Sequence, residues 1–304
     1  MSKTIRIGTR DSELALWQAT TVQQQLESLG YHTQLVPVKS TGDLVLDKPL
    51  YEMGITGIFT KTLDIAMLNG TVDIAVHSMK DVPTALPKGI EQTAVLERAT
   101  ATDILVTTKS EVDFSKPCTI ATGSLRRKAQ WLHRYPHHTV VDFRGNVNTR
   151  LQKLSDSNWD GAIFAKAGLQ RIGILPQYHT DLDWMISAPA QGAMVVVALE
   201  TDSYCKEASQ KLNNPHAEIV TRIERDFLRT LEGGCTAPIG AYAEILGNAI
   251  DFKGSLLSLD GGDKIEILKA ILVEDVQPDT GVAWAKEVLD RGGKELMTQI
   301  KRAL

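Results

Sequence analysis

Hydrophobic and polar positions along this chain switch repeatedly between a period of two and a period near 3.6. Thr4–Gly8 alternates as a short strand, and a polar turn, Thr9-Arg10-Asp11-Ser12, leads into a helix. The spacing directs Leu14, Trp17, Val22, Leu26 and Leu29 of that helix toward a core, and Gly30 supplies its stop. Leu35–Val38 resumes as a strand. Residues 40–59 (STGDLVLDKPLYEMGITGIF) are rich in glycine and polar groups and read as a mobile active-site loop. A helix near Thr60–Asn69 and a strand at Asp73–His77 follow.

A second lobe is expected to begin near Asp103. Its predicted strands are Ile104–Thr107, Thr119–Ala121, Thr139–Phe143 and Gly161–Ala165, with a further strand run at Met194–Leu199. Between them lie helices at Ser124–His133, with Leu125, Ala129 and Leu132 on one face, and at Asn146–Ser157, with Val147, Leu151 and Leu154 on one face. Alternation of strand and helix predicts the α/β class. Both lobes open with a short strand, a Thr/Gly/Ser turn and a helix, Gly8-Thr9-Arg10-Asp11-Ser12 in one and Ala121-Thr122-Gly123-Ser124 in the other, which points to two related lobes facing a cleft. After Pro215 the texture changes. A long helix, Ala217–Leu231, precedes strands at Ile239–Leu246, Ile250–Leu259 and Lys264–Val273, and the breaks between them carry hairpin-turn residues. Helices near Val282–Arg291 and Lys294–Ala303 complete a small C-terminal α+β domain.

With 304 residues the chain exceeds one ordinary core, so two or three domains are expected. The 43% hydrophobic and 23% charged fractions match a soluble globular protein. No apolar run reaches membrane-spanning length, and the opening MSKTIRIGTR has no signal-peptide hydrophobic region, so a cytoplasmic location is expected. Cys118, Cys205 and Cys235 are too few and too scattered for a disulfide framework or a zinc cluster. A net charge of −4 argues against general nucleic-acid binding.

Against that acidic background, residues 122–153 carry seven formal cations, Arg126, Arg127, Lys128, Arg134, Arg144, Arg150 and Lys153, and one anion, Asp142. Arginine suits bidentate recognition of carboxylate or phosphate. Ser124 is a natural N-cap after a strand, and a helix start flanked by two arginines binds anions by donors and dipole together. Arg144-Gly145-Asn146 repeats the arrangement at the next strand end, where α/β sheets bind ligands, and Arg10 follows the first strand. The bland reading is a solvated charged face. Three strand ends with the same chemistry favour a small anionic ligand instead. In Val76-His77-Ser78-Met79-Lys80-Asp81-Val82-Pro83 a buried strand ends in a turn with one carboxylate. Taken alone it is an ordinary Lys-Asp turn, and His77 reads as a packed histidine. Cys235, in Leu231-Glu232-Gly233-Gly234-Cys235, follows a helix C-terminus beside Glu232. Both disfavour a thiolate, so a thiol that reacts once and stays capped fits better than a nucleophile used in each turnover. No Cys/His set has metal-ligand spacing.

RIGTRDSELALWQ, DIAVHSMKDVP, ATGSLRRKAQ, RGNVNTRL, AKAGLQRIG and LEGGCTAPIGAYAE, in this order over nearly the whole chain, closely resemble the porphobilinogen deaminase (hydroxymethylbilane synthase) family. The resemblance implies two lobes like those of periplasmic binding proteins, residues 1–98 with 193–213 and residues 99–192. It places the cofactor-carrying domain at 214–304. It implies a dipyrromethane cofactor joined by a thioether to Cys235, and head-to-tail addition of four porphobilinogen molecules with loss of ammonia. Water then releases hydroxymethylbilane. By the same resemblance Asp81 is the catalytic carboxylate. It holds pyrrole N–H groups and stabilises the azafulvenium cation left by deamination. Lys80, Ser78, Asp81, Thr122, Ser124, Arg126, Arg127, Arg144 and Gly145 bind the cofactor, and Arg10, Ser12, Gln18, Arg150 and Arg171 bind substrate. A monomer acting on a small molecule, with no nucleic-acid or membrane partner, is expected. Two positions depart from the family pattern: Thr56, where lysine is frequent, and Ala190, where glycine is common. Lys61 is retained.

The main rival is a two-lobed, non-enzymatic small-anion-binding protein, which leaves Cys235 and so many arginines without a purpose. A transcription-factor effector domain lacks a helix-turn-helix or basic arm. A homologue that has lost activity is the remaining alternative, kept open by Thr56.

Overall fold

The computed structural model describes residues 3–39, 60–231 and 237–304. The reading of 40–59 as a loop and the expectations for Thr56 and Cys235 lie outside those residues. The chain opens with β1 (Ile5–Arg10), α1 (Glu13–Ser28), β2 (Thr33–Val38), α2 (Lys61–Leu68), β3 (Ile74–Ser78) and β4 (Ile90–Val95). Then come β5 (Asp103–Val106), β6 (Thr119–Ala121), α3 (Leu125–Arg134), β7 (Thr139–Val141), α4 (Val147–Asp156), β8 (Gly161–Ala165), α5 (Lys166–Arg171) and β9 (His179–Asp181). Next are β10 (Met194–Leu199), α6 (Ser203–Gln210) and α7 (Pro215–Thr230). The C-terminal part holds β11 (Ile239–Leu246), β12 (Ala249–Leu257), β13 (Lys264–Leu272), α8 (Thr280–Val288) and α9 (Lys294–Ala303). The α/β class with a small C-terminal sheet domain holds. Among the described residues no helix is long and apolar enough to cross a membrane.

Two five-stranded sheets have one topology. The first runs β2-β1-β3-β10-β4 and the second β7-β6-β8-β5-β9. In each, three parallel strands are followed by an antiparallel strand and an edge strand that pairs with it. The echo between the two strand-turn-helix openings is therefore part of a repeated architecture. The Met194–Leu199 strand, grouped above with the second lobe, pairs with β3 and β4 of the first sheet. Local periodicity identifies a strand but not its sheet. By compactness the chain divides into a unit holding the first sheet and a unit holding the second sheet with the C-terminal domain.

In the first unit, Ile5, Ile7, Ala19, Val22, Leu26, Ile74, Val76 and Val196 form a closed apolar core. Trp17 and Leu29, expected inside, are 37% and 48% exposed; Ala15, Gln18 and Ala19 take the buried face of α1. Here the helical stripe rotates toward small residues because α1 lies close over β1, β2 and β3. An ion cluster ties the lobe's ends together. Lys3 Nζ lies 3.3 Å from Asp73 and 2.6 Å from Asp202, and Arg6 donates from its backbone N–H, Nε and Nη2 to Asp73. Burial pushes the Asp73 carboxyl up, but the Arg6 hydrogen bonds and the Lys3 charge outweigh it and hold it below its ordinary value. A depressed carboxyl contributes stability above its unfolded value, near 3.9, and that stability is lost as pH falls through the folded value. The melting temperature should therefore drop as pH falls below about 4. Asp73→Asn should remove part of that drop and cost about 2 kcal/mol at neutral pH. An acid limb identical in Asp73→Asn and wild type would refute this assignment.

In the second unit, Ile104, Ala121, Phe143, Leu154, Ala162, Phe164 and Leu169 pack on one side of the sheet, and Val147 and Leu151 join Leu154 from α4 as its spacing predicts. On the other side Leu105, Ile120, Trp131 and Ile163 close a second core. Helix α3 departs from its expected face. Leu125 and Leu132 are half-buried, while Arg126, Arg127, Ala129, Gln130 and Trp131 are buried. The reason is a buried carboxylate, described below.

The C-terminal hairpins, closed at Gly247 (φ +64°) and Gly261 (φ +77°), pack β12 on α7 through Phe227 and Phe252, centroids 5.2 Å apart. Gly261 sits against α3: its carbonyl meets His133 Nδ1 at 2.8 Å, and a Cβ there would be 2.5 Å from the Ala129 carbonyl oxygen. Glu224 of α7, fully buried, accepts the Ala190 N–H at 2.6 Å and the Ala243 N–H at 2.7 Å. Ala190 has φ +60°. That left-handed conformation is costly with a Cβ and free for glycine, which explains why this is a glycine-favouring position.

Candidate active site

Parallel strands bring their C-terminal ends to one edge, and each lobe gathers polar residues there. In the first lobe β1 ends at Arg10 and its parallel neighbour β3 ends at Ser78. Ser12 caps α1, its hydroxyl accepting the Ala15 N–H at 3.4 Å. From the next turn of the helix, buried Gln18 donates Nε2–H to the Ser78 hydroxyl at 2.8 Å. A single 3₁₀ turn, Met79–Asp81, then carries Lys80 and Asp81, both half-buried. Its Met79 N–H is anchored on the Ala193 carbonyl at 3.0 Å, and Val82 closes it with a 3.1 Å bond to Met79. Arg10, Ser12, Gln18, Ser78, Lys80 and Asp81 thus share one edge of the first sheet. His77, on β3 just before the turn, is buried with Nε2 unpartnered. Burial, then the Arg10 charge, brings its value down to about 4.

In the second lobe the ends of β6 and β7 carry the matching set. Thr122 N–H bonds the Val141 carbonyl at 3.0 Å, and its hydroxyl accepts the Ser124 N–H at 3.3 Å. Ser124 caps α3 through the Arg127 N–H at 3.4 Å. Gly123 is fixed by close approach, since a Cβ would lie 2.6 Å from the Phe143 carbonyl oxygen. Gly123→Ala must therefore push the turn away from the Phe143 backbone and should cost about 1–3 kcal/mol, read as a lower melting temperature. An unchanged melting temperature would contradict that contact. Arg144 follows β7 and is buried, Gly145 adopts φ +118°, and Asn146 caps α4 by accepting the Thr149 N–H at 2.9 Å. Arg150, in α4, lies over the Phe143 ring at 5.6 Å. Arg171 stands at the far end of α5 rather than at the strand end, and burial lowers its value to about 10.

Arg126 and Arg127 are buried, at 4% and 6% exposure, so the solvated-face reading fails for them, while Arg134 and Lys153 are exposed as that reading expects. They are also not bare. Both meet Asp103, the first residue of β5 and itself fully buried. Arg127 Nε and Nη2 donate to Oδ1 at 3.0 and 2.7 Å, and Arg126 Nη1 lies 2.8 Å from Oδ2. Burial raises the Asp103 carboxyl, but the two guanidinium charges outweigh it and hold it well below the carboxylate range. Two cations share one anion, and Arg126 Nε is buried with no partner. Asp103 was missed from sequence because it lies more than twenty residues from the arginines and nothing local marks a lone aspartate at a strand start as buried. Cys235 lies outside the described residues. Among the described residues no group of three or more His, Cys, Asp or Glu side chains could hold a metal.

Fold and site together define an α/β protein whose repeated lobes present guanidinium and hydroxyl donors at strand ends, suited to a carboxylate-bearing small molecule. Two family models match, "Porphobilinogen deaminase, dipyromethane cofactor binding domain" over residues 5–207 and "Porphobilinogen deaminase, C-terminal domain" over 219–290. The chain belongs to the porphobilinogen deaminase family. It is 39% identical over 305 residues to the porphobilinogen deaminase of Syntrophotalea carbinolica, covering 98% of this chain and 96% of that protein. To the one from Nitratiruptor sp. it is 39% identical over 297 residues, covering 96% of each. Among solved structures, the periplasmic VFT2 domain of Bordetella pertussis BvgS is similar at 10% identity, covering 69% of this chain and 86% of that one, with TM-score 0.43.

Proposed function

We propose that the chain is a hydroxymethylbilane synthase, a transferase that joins four porphobilinogen molecules head to tail and hydrolyses the product to the linear tetrapyrrole. The observation that carries this reading is the family match over both domains at nearly full length. Each addition forms one carbon–carbon bond and releases one ammonia. Dipyrromethane, attached by a thioether to Cys235, supplies the covalent primer on which additions are counted. The donor set suits it: a pyrrole unit with acetate and propionate arms is a dianion, and the second lobe has a surplus guanidinium charge with the unpartnered Arg126 Nε.

In this reading Thr122, Ser124, Arg126, Arg127, Arg144 and Gly145, with Ser78, Lys80 and Asp81, hold cofactor. Arg10, Ser12, Gln18, Arg150 and Arg171 receive substrate carboxylates. Asp81 stabilises the cation that forms when substrate loses ammonia, and it holds or moves a proton at the pyrrole nitrogen. The working form is a cytoplasmic monomer, with lobes at 1–98 plus 193–213 and at 99–192, and the cofactor domain at 214–304.

The test is the intact mass of the purified chain and its stoichiometry with porphobilinogen. An added mass of two linked pyrrole units, with four porphobilinogen consumed per product, is expected. A chain that carries no such mass and fails to load when given porphobilinogen would instead favour the small-anion-binding reading.

A further inference from the structure

Buried Gln191 reaches the same carboxylate as the two arginines. Its Nε2 donates to Asp103 Oδ1 at 2.8 Å and to the Ala101 carbonyl at 2.6 Å. Oδ1 thereby accepts three N–H groups from two side chains, while Oδ2 faces Arg126. Backbone carbonyls complete the frame, with Arg126 Nη1 on Ile186 at 2.8 Å and Arg127 Nη1 on Ile163 at 3.1 Å. We infer that Asp103 and Gln191 are positioning residues, a carboxylate and a neutral amide that together fix the direction of both guanidiniums at the start of α3. The inference rests on the reading that Arg126 and Arg127 hold cofactor carboxylates.

Charge arithmetic explains why the second partner is an amide. The buried Glu224 carboxylate is taken up by the Ala190 and Ala243 N–H groups. Within the cluster itself, two guanidiniums and one carboxylate leave a single positive charge, which adds to the N-terminal field of α3 and attracts an incoming carboxylate. A second acid would cancel that charge, and a base would crowd it. Glutamine supplies N–H donors with no charge, so it orients Asp103 and leaves the surplus intact. A purely structural network has no use for that surplus, because uncompensated buried charge is destabilising.

The distinguishing experiment loads the full chain, prepared without pyrrole substrate, with porphobilinogen and follows covalent mass over time. Exchange of the Arg127 Nε–H is followed in parallel by NMR. Gln191→Met keeps the volume and removes both donors. It should stay folded, with faster Nε–H exchange and with loading about tenfold slower, the scale on which outer partners of a binding site act. Gln191→Glu cancels the surplus charge, so its loading should be slower still at neutral pH and should recover as the introduced carboxyl protonates in acid. Wild-type exchange and loading in Gln191→Met would overturn the inference. So would equal slowing by Asp73→Asn, which lowers stability from the first unit. Arg127→Leu loading at the wild-type rate would overturn the carboxylate reading itself, and with it any purpose in positioning, whatever the exchange rates.

Discussion

Asp81→Asn is expected to lower kcat by about 10²–10⁴ while the chain still folds and still carries its pyrrole mass. The substitution is nearly isosteric and sits in a 3₁₀ turn whose shape comes from the backbone, Met79 bonding Ala193 and Val82 bonding Met79. What it removes is a negative charge. Loss of ammonia from an aminomethylpyrrole leaves a delocalised cation, and a fixed carboxylate lowers the barrier to it more than it stabilises the uncharged ring. The deficit should therefore fall on kcat rather than on KM. Steady-state assay beside intact mass decides it. A mutant that turns over at the wild-type rate would remove Asp81 from the chemistry.

Cys235→Ser is expected to abolish the covalent pyrrole mass and reduce turnover to background. A serine hydroxyl is a far weaker nucleophile than a thiol toward an electron-poor carbon. The chain's other cysteines offer no substitute. Cys118 and Cys205 are buried, and burial raises both thiols, Cys205 up to about 12, so neither supplies thiolate at neutral pH. Intact mass and a pyrrole-specific colour reaction on wild type and mutant give the answer together. Persistence of the added mass in Cys235→Ser would move the attachment point elsewhere.

Much of the fold could be read from local pattern. The strand at Gly161–Ala165, the hairpins around Gly247 and Gly261, and the apolar face of α4 follow from alternation, turn residues and helical spacing. The site was legible where caps and strand ends carry it, as at Ser12, Ser124 and Arg144. It was illegible where charge is buried. A hydrophobic pattern treats Arg126 and Arg127 as surface, so it turned α3 toward Leu125 and Leu132. Their counter-ion Asp103 and its amide partner Gln191 come from distant segments that only the folded sheet brings together. Short strands such as β9, three residues with no apolar alternation, exist because β5 offers them a ladder. The reaction itself came from the resemblance, since guanidiniums specify an anion and not its chemistry.

The interleaved strand order sets a schedule for synthesis on the ribosome. Every strand of the second sheet has been synthesised once residue 181 is added, whereas the first sheet lacks the strand between β3 and β4 until Met194–Leu199 is made. In the complete sheet β3 and β4 lie two strand spacings apart, about 9.6 Å, so a fragment ending at Ala99 lacks the strand that joins them. The N-terminal lobe is thus the last of the two to close, although it is the first to be made.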